Sequence, residues 1–431
     1  MRNPKVSCGA AKSSRRGFLQ QSAAATAAAS LFYSTFTIAD ESAKGANERI
    51  GVGFIGTGSR AQTHLGICMN LKGQGRCEPV AVCDVYAPRV EAAAKKTGGK
   101  IYRHFRELLA DPHVDVVCIA TPDRHHAPQA IEAVRAGKDV YCEKPLTHWS
   151  QFDLARQLGE EAAKHERIVQ VGTQYVADDA YAEIRKAIAD DMIGKVVHVQ
   201  AGYFRRGDWG ERMDIPDPNA QPGPDLDWEQ FLGDAPKVPY DVSRFFQWRM
   251  YWDYAGGPST DLLVHVFTPV FCALDLGFPE RVFGGGGTFE YSREVPDQCN
   301  IIVDYPGGPS VVLMNSLSNH VPLKTVIRGT KGIIDWPGID GGENKGARIV
   351  RFGVGGPDGK KDAETFIPWR GMGDVTKLWM NFLDCVKSRQ RPYSPIDIAV
   401  KVQAPLNMGI LSHRESKVAF FDKAKHAIEL R

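Results

Sequence analysis

The stretch Ile50-Gly51-Val52-Gly53-Phe54-Ile55 is a short apolar run that passes directly into Gly56-Thr57-Gly58-Ser59-Arg60-Ala61, and then into a helical pattern to about Leu71. A strand, a glycine turn of the form G-x-G-x-x-A and a helix in immediate succession leave few folds open, because this unit begins a dinucleotide-binding parallel sheet. Gly56 allows the tight turn, Gly58 lets the backbone approach a pyrophosphate, and Ala61 lets helix and strand pack closely. The helix start at Ser59 and Arg60 offers free N–H groups and the positive end of the helix dipole to phosphates.

Pro79–Cys83 is a second apolar strand with Asp84 at its end. Asp84 follows the glycines at close to the expected interval of about 20 residues. A carboxylate there accepts hydrogen bonds from both ribose hydroxyls and repels a 2′-phosphate, which favours NAD over NADP. Nearby Arg89 softens that preference, and Asp84 also suits a cap for the next helix. Helical patterns at Val90–Thr97, Ala127–Ala136 and Gln151–His165 then alternate with strands at Val114–Ala120, Lys138–Cys142 and Ile168–Val171. Such alternation predicts a doubly wound parallel sheet, an α/β dinucleotide domain over residues 48–172. Cys83, Cys118 and Cys142 fall on its strands and read as small buried residues. The nine cysteines are too scattered for a disulfide framework and lack metal-site spacing, so no metal is expected.

From residue 173 the texture changes. After a helix at Asp179–Asp190, strands are expected at Val196–Phe204, Glu280–Tyr291, Asn300–Tyr305, Ser310–Leu317, Leu323–Arg328 and Gly332–Trp336. Consecutive strands predict an α+β domain over residues 173–431 with a large, mostly antiparallel sheet. Glycines 284–287 read as a bend or bulge in it. In Gly256-Gly257-Pro258-Ser259-Thr260-Asp261, Ser259 or Thr260 can cap a helix toward Val270. Asp261 and His265 then stand one turn apart on one helical face. A carboxylate and an imidazole so placed suit an acid–base unit, a structural pair or two ligands of a metal. Residues 203–255 are a block of mixed loops rich in aromatic and arginine residues, including Trp209, Phe245, Phe246 and Trp248. Aromatic faces stack on sugar rings and arginines bind carboxylates or hydroxyls, which marks Arg205, Arg249 and Trp252 as candidate substrate contacts; a hydrophobic lid or arm is the plainer reading. The last helices, Asp374–Lys387 and Asp397–Leu411, are expected to pack against the sheet or back on the first domain.

Two motifs end consecutive strands of the first domain: Thr121-Pro122-Asp123-Arg124-His125-His126 and Glu143-Lys144-Pro145. In an open α/β sheet, ligands bind outside the carboxyl ends of strands, where both motifs lie. With the glycine turn and the later Asp261-x-x-x-His265, these motifs over roughly residues 48–420 resemble the Gfo/Idh/MocA family of sugar and polyol oxidoreductases. The resemblance implies that Lys144 lies between nicotinamide and substrate, that the bond before Pro145 is cis, and that Lys144, His265 and Asp261 are catalytic. It also implies NAD (NADP less favoured) bound by Gly56, Gly58, Ser59, Arg60, Ala61, Asp84, Thr121, Pro122, His126, Glu143, Lys144 and Gln174, and in an exported protein, away from plentiful free NAD, that cofactor is expected to be tightly held. The outer face of the open sheet would be buried in a homo-oligomer, a dimer or tetramer.

The first residues carry a different message. Ser14-Arg15-Arg16-Gly17-Phe18-Leu19 precedes an Ala-rich run from Ala23 to Ile38 and small residues ahead of Asp40. The order resembles a twin-arginine export signal over residues 1–39, and the run is too short for a good membrane span. Cleaved or retained as an anchor, it predicts a periplasmic or otherwise exported protein that meets the membrane only through export or an uncleaved signal. The formal charge is +2, from 53 basic and 51 acidic residues. Removing residues 1–39 takes out Arg2, Lys5, Lys12, Arg15 and Arg16 and no acidic residue, so the remainder is mildly acidic, unlike a nucleic-acid binder. The expected function is an exported NAD(P)-dependent oxidoreductase moving a hydride between nicotinamide and a secondary alcohol of a sugar, sugar derivative or cyclitol. His265 would take the hydroxyl proton, Asp261 would orient or bind, and Lys144 would stabilise the alkoxide. Two alternatives stand beside it. One is an NAD-dependent glycoside hydrolase or lyase using transient sugar oxidation, whose family members do not obviously share Asp261 and His265. The other is a non-catalytic sugar-binding protein with a vestigial cofactor site, which would not need this acid–base set.

Overall fold

Strand β1 (Ile50–Ile55) is buried at every position, which requires cover on both faces of its sheet. It lies in a six-stranded parallel sheet with β2 (Cys77–Cys83), β3 (Lys100–Tyr102), β4 (Val116–Ile119), β5 (Asp139–Cys142) and β6 (Val169–Val171), in the order β3-β2-β1-β4-β5-β6. Helices α1 (Ser59–Gly73), α2 (Ala87–Thr97), α3 (Phe105–Leu109), α4 (Asp123–Arg135) and α5 (Phe152–Lys164) make the crossovers. The strand order reverses between β1 and β4, so a crevice opens at the carboxyl ends of these two strands. The doubly wound α/β expectation holds, and Cys83, Cys118 and Cys142 are buried on its strands. The structure, a computed structural model, describes residues 49–207, 214–339, 345–355 and 359–431. Residues 1–39, where an export signal is expected, and Trp209 lie outside the described residues.

The remaining chain forms α6 (Ala180–Ala189), β7 (Val196–Phe204), α7 (Trp228–Leu232), α8 (Val242–Phe246), α9 (Pro258–Asp261) and α10 (Leu263–Leu274). Then follow β8 (Arg281–Gly287), β9 (Gln298–Asp304), β10 (Ser310–Ser316), β11 (Thr325–Gly329), β12 (Gly332–Trp336), β13 (Gly346–Gly355) and β14 (Lys361–Pro368). Helices α11 (Val375–Ser388) and α12 (Ile396–Glu415) and the hairpin β15 (Ala419–Asp422) and β16 (Ala427–Leu430) close the chain. The second sheet has ten strands, ordered β14-β13-β12-β11-β7-β10-β9-β8-β15-β16. It is antiparallel except for β7 against β10. No helix among the described residues is long and apolar enough to cross a membrane.

Three expectations need correction. Glycines 284–287 neither bend nor bulge: β8 pairs with β9 in unbroken register from Arg281 to Gly287. A Cβ on Gly284 would lie 1.9 Å from the Gly409 carbonyl oxygen, so the glycine admits the backbone of α12 against the strand. Ser259 and Thr260 do not cap the helix; Gly257 stands at the cap with Pro258 next, and the two hydroxyls donate to the Cys299 and Gly257 carbonyls. Asp261 and His265 do not share one regular helix, because the chain breaks at Leu262 between α9 and α10.

Helix α11 begins where the Asp374 carboxylate accepts from the amides of Thr376 and Lys377. Its Leu378, Trp379, Phe382, Leu383 and Val386 then enter one core with Val52, Phe54, Leu65 and Val82 of the first half. Helix α12 lies behind the Lys144–Pro145 turn, whose peptide bond is cis: Gln403 accepts from the Leu146 amide and donates to the Thr147 carbonyl. Both last helices therefore return to the parallel sheet, α11 through this core and α12 through contacts with α5 and β6.

Candidate active site

At the mouth of the crevice Gly56 has φ +81°, and a Cβ there would lie 2.9 Å from Ala120 and Thr121 atoms. The turn needs glycine for both reasons. Gly58 caps α1 with no side-chain hydrogen bond, and no acidic residue follows in the first turn. The amides at the start of α1, at Ser59 and Arg60, form a donor set that fits a diphosphate. Ala61 is fully buried beneath them and serves packing. Asp84 accepts from the Thr57 amide at 2.7 Å, the Thr57 hydroxyl at 3.1 Å and the Tyr86 amide at 3.0 Å. It fixes the glycine turn while facing the same cleft of about 440 Å³, which Gly56, Gly58, Arg89, Thr121 and Pro122 also line. The residues present fit a dinucleotide.

Residues 214–255 wall this cleft from the other side. Asp225 and Val85 exchange backbone bonds with Ala87 and Asp227, and Tyr86 donates to Asp217 at 2.6 Å. The Arg124 guanidinium donates to Asp234 at 2.8 Å; His125 Nε2 lies 2.8 Å from the Phe231 carbonyl and His148 Nε2 2.7 Å from that of Trp252. The aromatic rings of this strap, among them Trp228, Phe231, Phe245 and Phe246, pack on one another and on Tyr86. That corrects the sugar-stacking expectation for most of them. Trp252 in particular lines neither cavity: its ring meets Trp149 edge-on and lies under the Arg414 guanidinium at 4.3 Å.

A second cavity of about 390 Å³ adjoins the first through Ser59, Arg60, Thr121, Trp248 and Arg249. It brings together Lys144, Asp261, His265, Gln174, Arg205 and Arg249. Lys144 Nζ donates to Asp261 Oδ1 at 2.6 Å and to the Asp261 carbonyl at 3.0 Å. Asp261 therefore partners the lysine and not His265. Burial, then the nearby Lys144 charge, push the His265 pKa well below its usual value against the opposing pull of Asp261. The imidazole is neutral, with Nδ1 buried and without a hydrogen-bond partner. Gln174 Oε1 is also buried without a partner.

Glu143 and His126 sit at the rim but act within the protein. Burial alone would raise the Glu143 carboxyl, but Arg60 and His64 outweigh it and hold it well below the usual carboxylate range. His126 lies between the two strand-end motifs, with Nδ1 2.7 Å from the Pro145 carbonyl and Nε2 2.8 Å from that of Thr121. Sequence reasoning missed His64 and Trp379, whose hydrogen bond reaches Glu143 from behind, and the joints His125 and His148. The signal available was a histidine on the apolar face of α1 beside Ala61, Leu65 and Cys68.

Comparison with known proteins follows this geometry. A family model named GFO_IDH_MocA, described as an oxidoreductase family with an NAD-binding Rossmann fold, matches residues 50–173, and its C-terminal alpha/beta domain matches residues 177–334. An inositol 2-dehydrogenase from Rubrobacter xylanophilus is 32% identical over 167 residues, which is 38% of this chain and 46% of that protein. The chain thus spans about half the length of the curated relatives it matches. Among solved structures, the WlbA dehydrogenase from Bordetella pertussis in complex with NADH and UDP-GlcNAcA aligns with TM-score 0.63 at 18% identity, covering 86% of this chain and 98% of that one. Levoglucosan dehydrogenase in complex with NADH and levoglucosan aligns with TM-score 0.64 at 18% identity, covering 89% and 99%. The likeness to these structures is one of fold. Together with the glycine turn and the strand-end motifs around it, the two family matches place this chain in the Gfo/Idh/MocA oxidoreductase family, with an NAD-binding Rossmann domain ahead of the C-terminal alpha/beta domain.

Proposed function

We propose that the protein is an exported dehydrogenase that oxidises a secondary alcohol of a sugar, sugar derivative or cyclitol with NAD. The observation that carries this reading is the Lys144–Asp261 ion pair, which faces the same cavity as His265 and opens onto the dinucleotide cleft. Gly56–Ala61 and Asp84 would hold NAD, which when bound would supply the two-electron acceptor for the hydride of the alcohol carbon. His265, neutral and buried, takes the hydroxyl proton, and the carbon is left as a ketone. Lys144 donates toward the alcohol oxygen as negative charge develops on it, and Asp261 aims the ammonium. Gln174, Arg205 and Arg249 bind the remaining polar groups of the substrate.

The names of relatives and neighbours support this substrate class: inositol, a nucleotide sugar and an anhydrosugar. Asp84 toward the ribose favours NAD over NADP. The strap over residues 214–255 supports tight retention of the nucleotide. Twin arginines at Arg15 and Arg16 support export of the folded chain to the periplasm, and the outer face of the ten-stranded sheet suits assembly into a dimer or tetramer.

The test is a panel of inositols, aldoses and p-nitrophenyl glycosides offered to the purified protein, with NADH followed by absorbance. NADH formation on a cyclitol or sugar supports the reading. Glycoside cleavage without accumulated NADH would replace it with redox-assisted hydrolysis, and binding without either product would leave a sugar-binding protein.

A further inference from the structure

Behind Lys144 runs a buried chain of polar groups that the chemistry above does not use. Trp379 on α11 donates its indole N–H to His64 Nδ1 at 2.9 Å. His64 Nε2 lies 2.9 Å from Glu143 Oε1, and the Arg60 Nε donates to the same oxygen at 2.8 Å. The backbone amide of Lys144 donates to the other oxygen, Oε2, at 3.2 Å. Both His64 and Trp379 are fully buried.

The indole N–H is a donor only, so Nδ1 must accept and the imidazole proton must sit on Nε2, where it is donated to Glu143. Packing fixes each member. Tyr141 stacks on Trp379 with ring centres 4.5 Å apart and planes within 2°, and it meets His64 edge-on at 5.1 Å. Burial keeps the imidazole neutral by lowering its pKa against the pull of Glu143. Glu143 follows strand β5 directly, so a carboxylate that grips the next amide sets the direction in which the Lys144 side chain leaves the strand. The same carboxylate holds Arg60, which lines both cavities.

We propose that His64 and Trp379 are positioning residues: they fix the Glu143 carboxylate, and through it the Lys144 amide and the Arg60 guanidinium, in the geometry that dehydrogenation uses. The inference rests on the dehydrogenase reading for its kinetic consequence, and a helix far along the chain thereby acts on the catalytic lysine.

The experiment compares full-length wild type with His64→Leu, His64→Gln and Trp379→Phe, in turnover on the active sugar or cyclitol, in NAD affinity, and in nitrogen chemical shifts of isotope-labelled histidine and lysine. Wild type is expected to show His64 as the Nε2–H tautomer. His64→Leu is expected to lower kcat by about 10²-fold, the scale of a small misplacement of a catalytic group, and to weaken NAD binding through Arg60 by much less. Gln keeps a donor toward Glu143 and an acceptor toward Trp379, so His64→Gln is expected to stay near wild type in kcat. Trp379→Phe removes the indole N–H together with its five-membered ring and keeps a six-membered ring against Tyr141; it is expected to move the His64 Nδ1 and Lys144 amide signals and to lower kcat by less than His64→Leu. Wild-type kcat in His64→Leu would overturn the proposal, as would equal damage in His64→Gln and His64→Leu, or a Nδ1–H tautomer in wild type. An inactive wild-type protein would instead sink the dehydrogenase reading, with the tautomer and the Lys144 amide shift still deciding whether the chain of bonds exists.

Discussion

The two walls of the nucleotide cleft are held by different means. On one side the Gly56–Ala61 turn hangs from a parallel sheet whose strands are buried on both faces. On the other, residues 214–255 contain only short helices and are tethered by side chains reaching backbone carbonyls and by a knot of aromatic rings. A sheet wall is fixed by many cooperative backbone bonds and resists single changes. A tethered wall can be loosened one joint at a time, so shape and chemistry belong to the first side and retention to the second.

The largest expected effect lies on the chemical side. Lys144→Ala should reduce kcat by about 10²–10⁴-fold while NAD still binds, as measured by steady-state turnover beside fluorescence titration with NADH. Near-normal turnover would remove Lys144 from the chemistry. Next comes the scaffold. Phe382 is fully buried in the core that joins α11 to the parallel sheet. Phe382→Ala should destabilise the protein by about 3–5 kcal/mol in urea unfolding. A change below about 1 kcal/mol would show that the sheet side does not depend on α11.

The strap side should respond to pH. Burial lowers the pKa of His125 to about 4 and of His148 to about 3. An unfolded histidine titrates near about 6.5, so below that pH the unfolded chain binds protons that the folded chain refuses. The stability these groups contribute is therefore complete above about pH 7 and is lost as pH falls, toward about 4 for His125 and about 3 for His148. Both histidines join the strap to the sheet side, so nucleotide release should quicken over the same range, read by stopped-flow displacement of NADH. A release rate flat in pH would separate the two joints from retention. The smallest effect is expected from Arg124→Ala. Its partner Asp234 is largely exposed, which limits the pair to about 1 kcal/mol or less. NAD affinity should weaken by no more than about fivefold, with folding stability lowered by about 1 kcal/mol.

Legibility in the sequence follows the same division. The parallel sheet announces itself because Gly56, Gly58 and Asp84 sit at fixed intervals and each strand is a short apolar run between helical patterns. Lys144, Asp261, His265 and Gln174 meet in one cavity: Lys144 and Gln174 come from the chain after β5 and β6, Asp261 and His265 from α9 and α10. Asp261 pairing with Lys144 was not readable from the spacing: a helix break at Leu262 turns the carboxylate toward the lysine. The aromatic strap was visible as composition alone, and composition does not say whether a ring faces a sugar or another ring. Trp252 went the second way. Strands β13 to β16 escaped notice because their alternation is diluted by glycine and charged residues at the sheet margins. The Trp379–His64 bond joins residues 315 positions apart, and a single sequence carries no mark of such a pairing.

The return of α11 to the parallel sheet has a consequence for how the chain is made. Residues that complete the core around Val52, Phe54 and Leu65 are translated only after strands β7 to β14, eight of the ten in the second sheet. A ribosome releasing the first half alone would present an uncovered apolar strip and a Glu143 carboxylate lacking part of its support. The dinucleotide half is therefore not a portable module: cut free after residue 172, it would lose its lid of Leu378, Trp379 and Phe382 and tend to associate through the exposed patch.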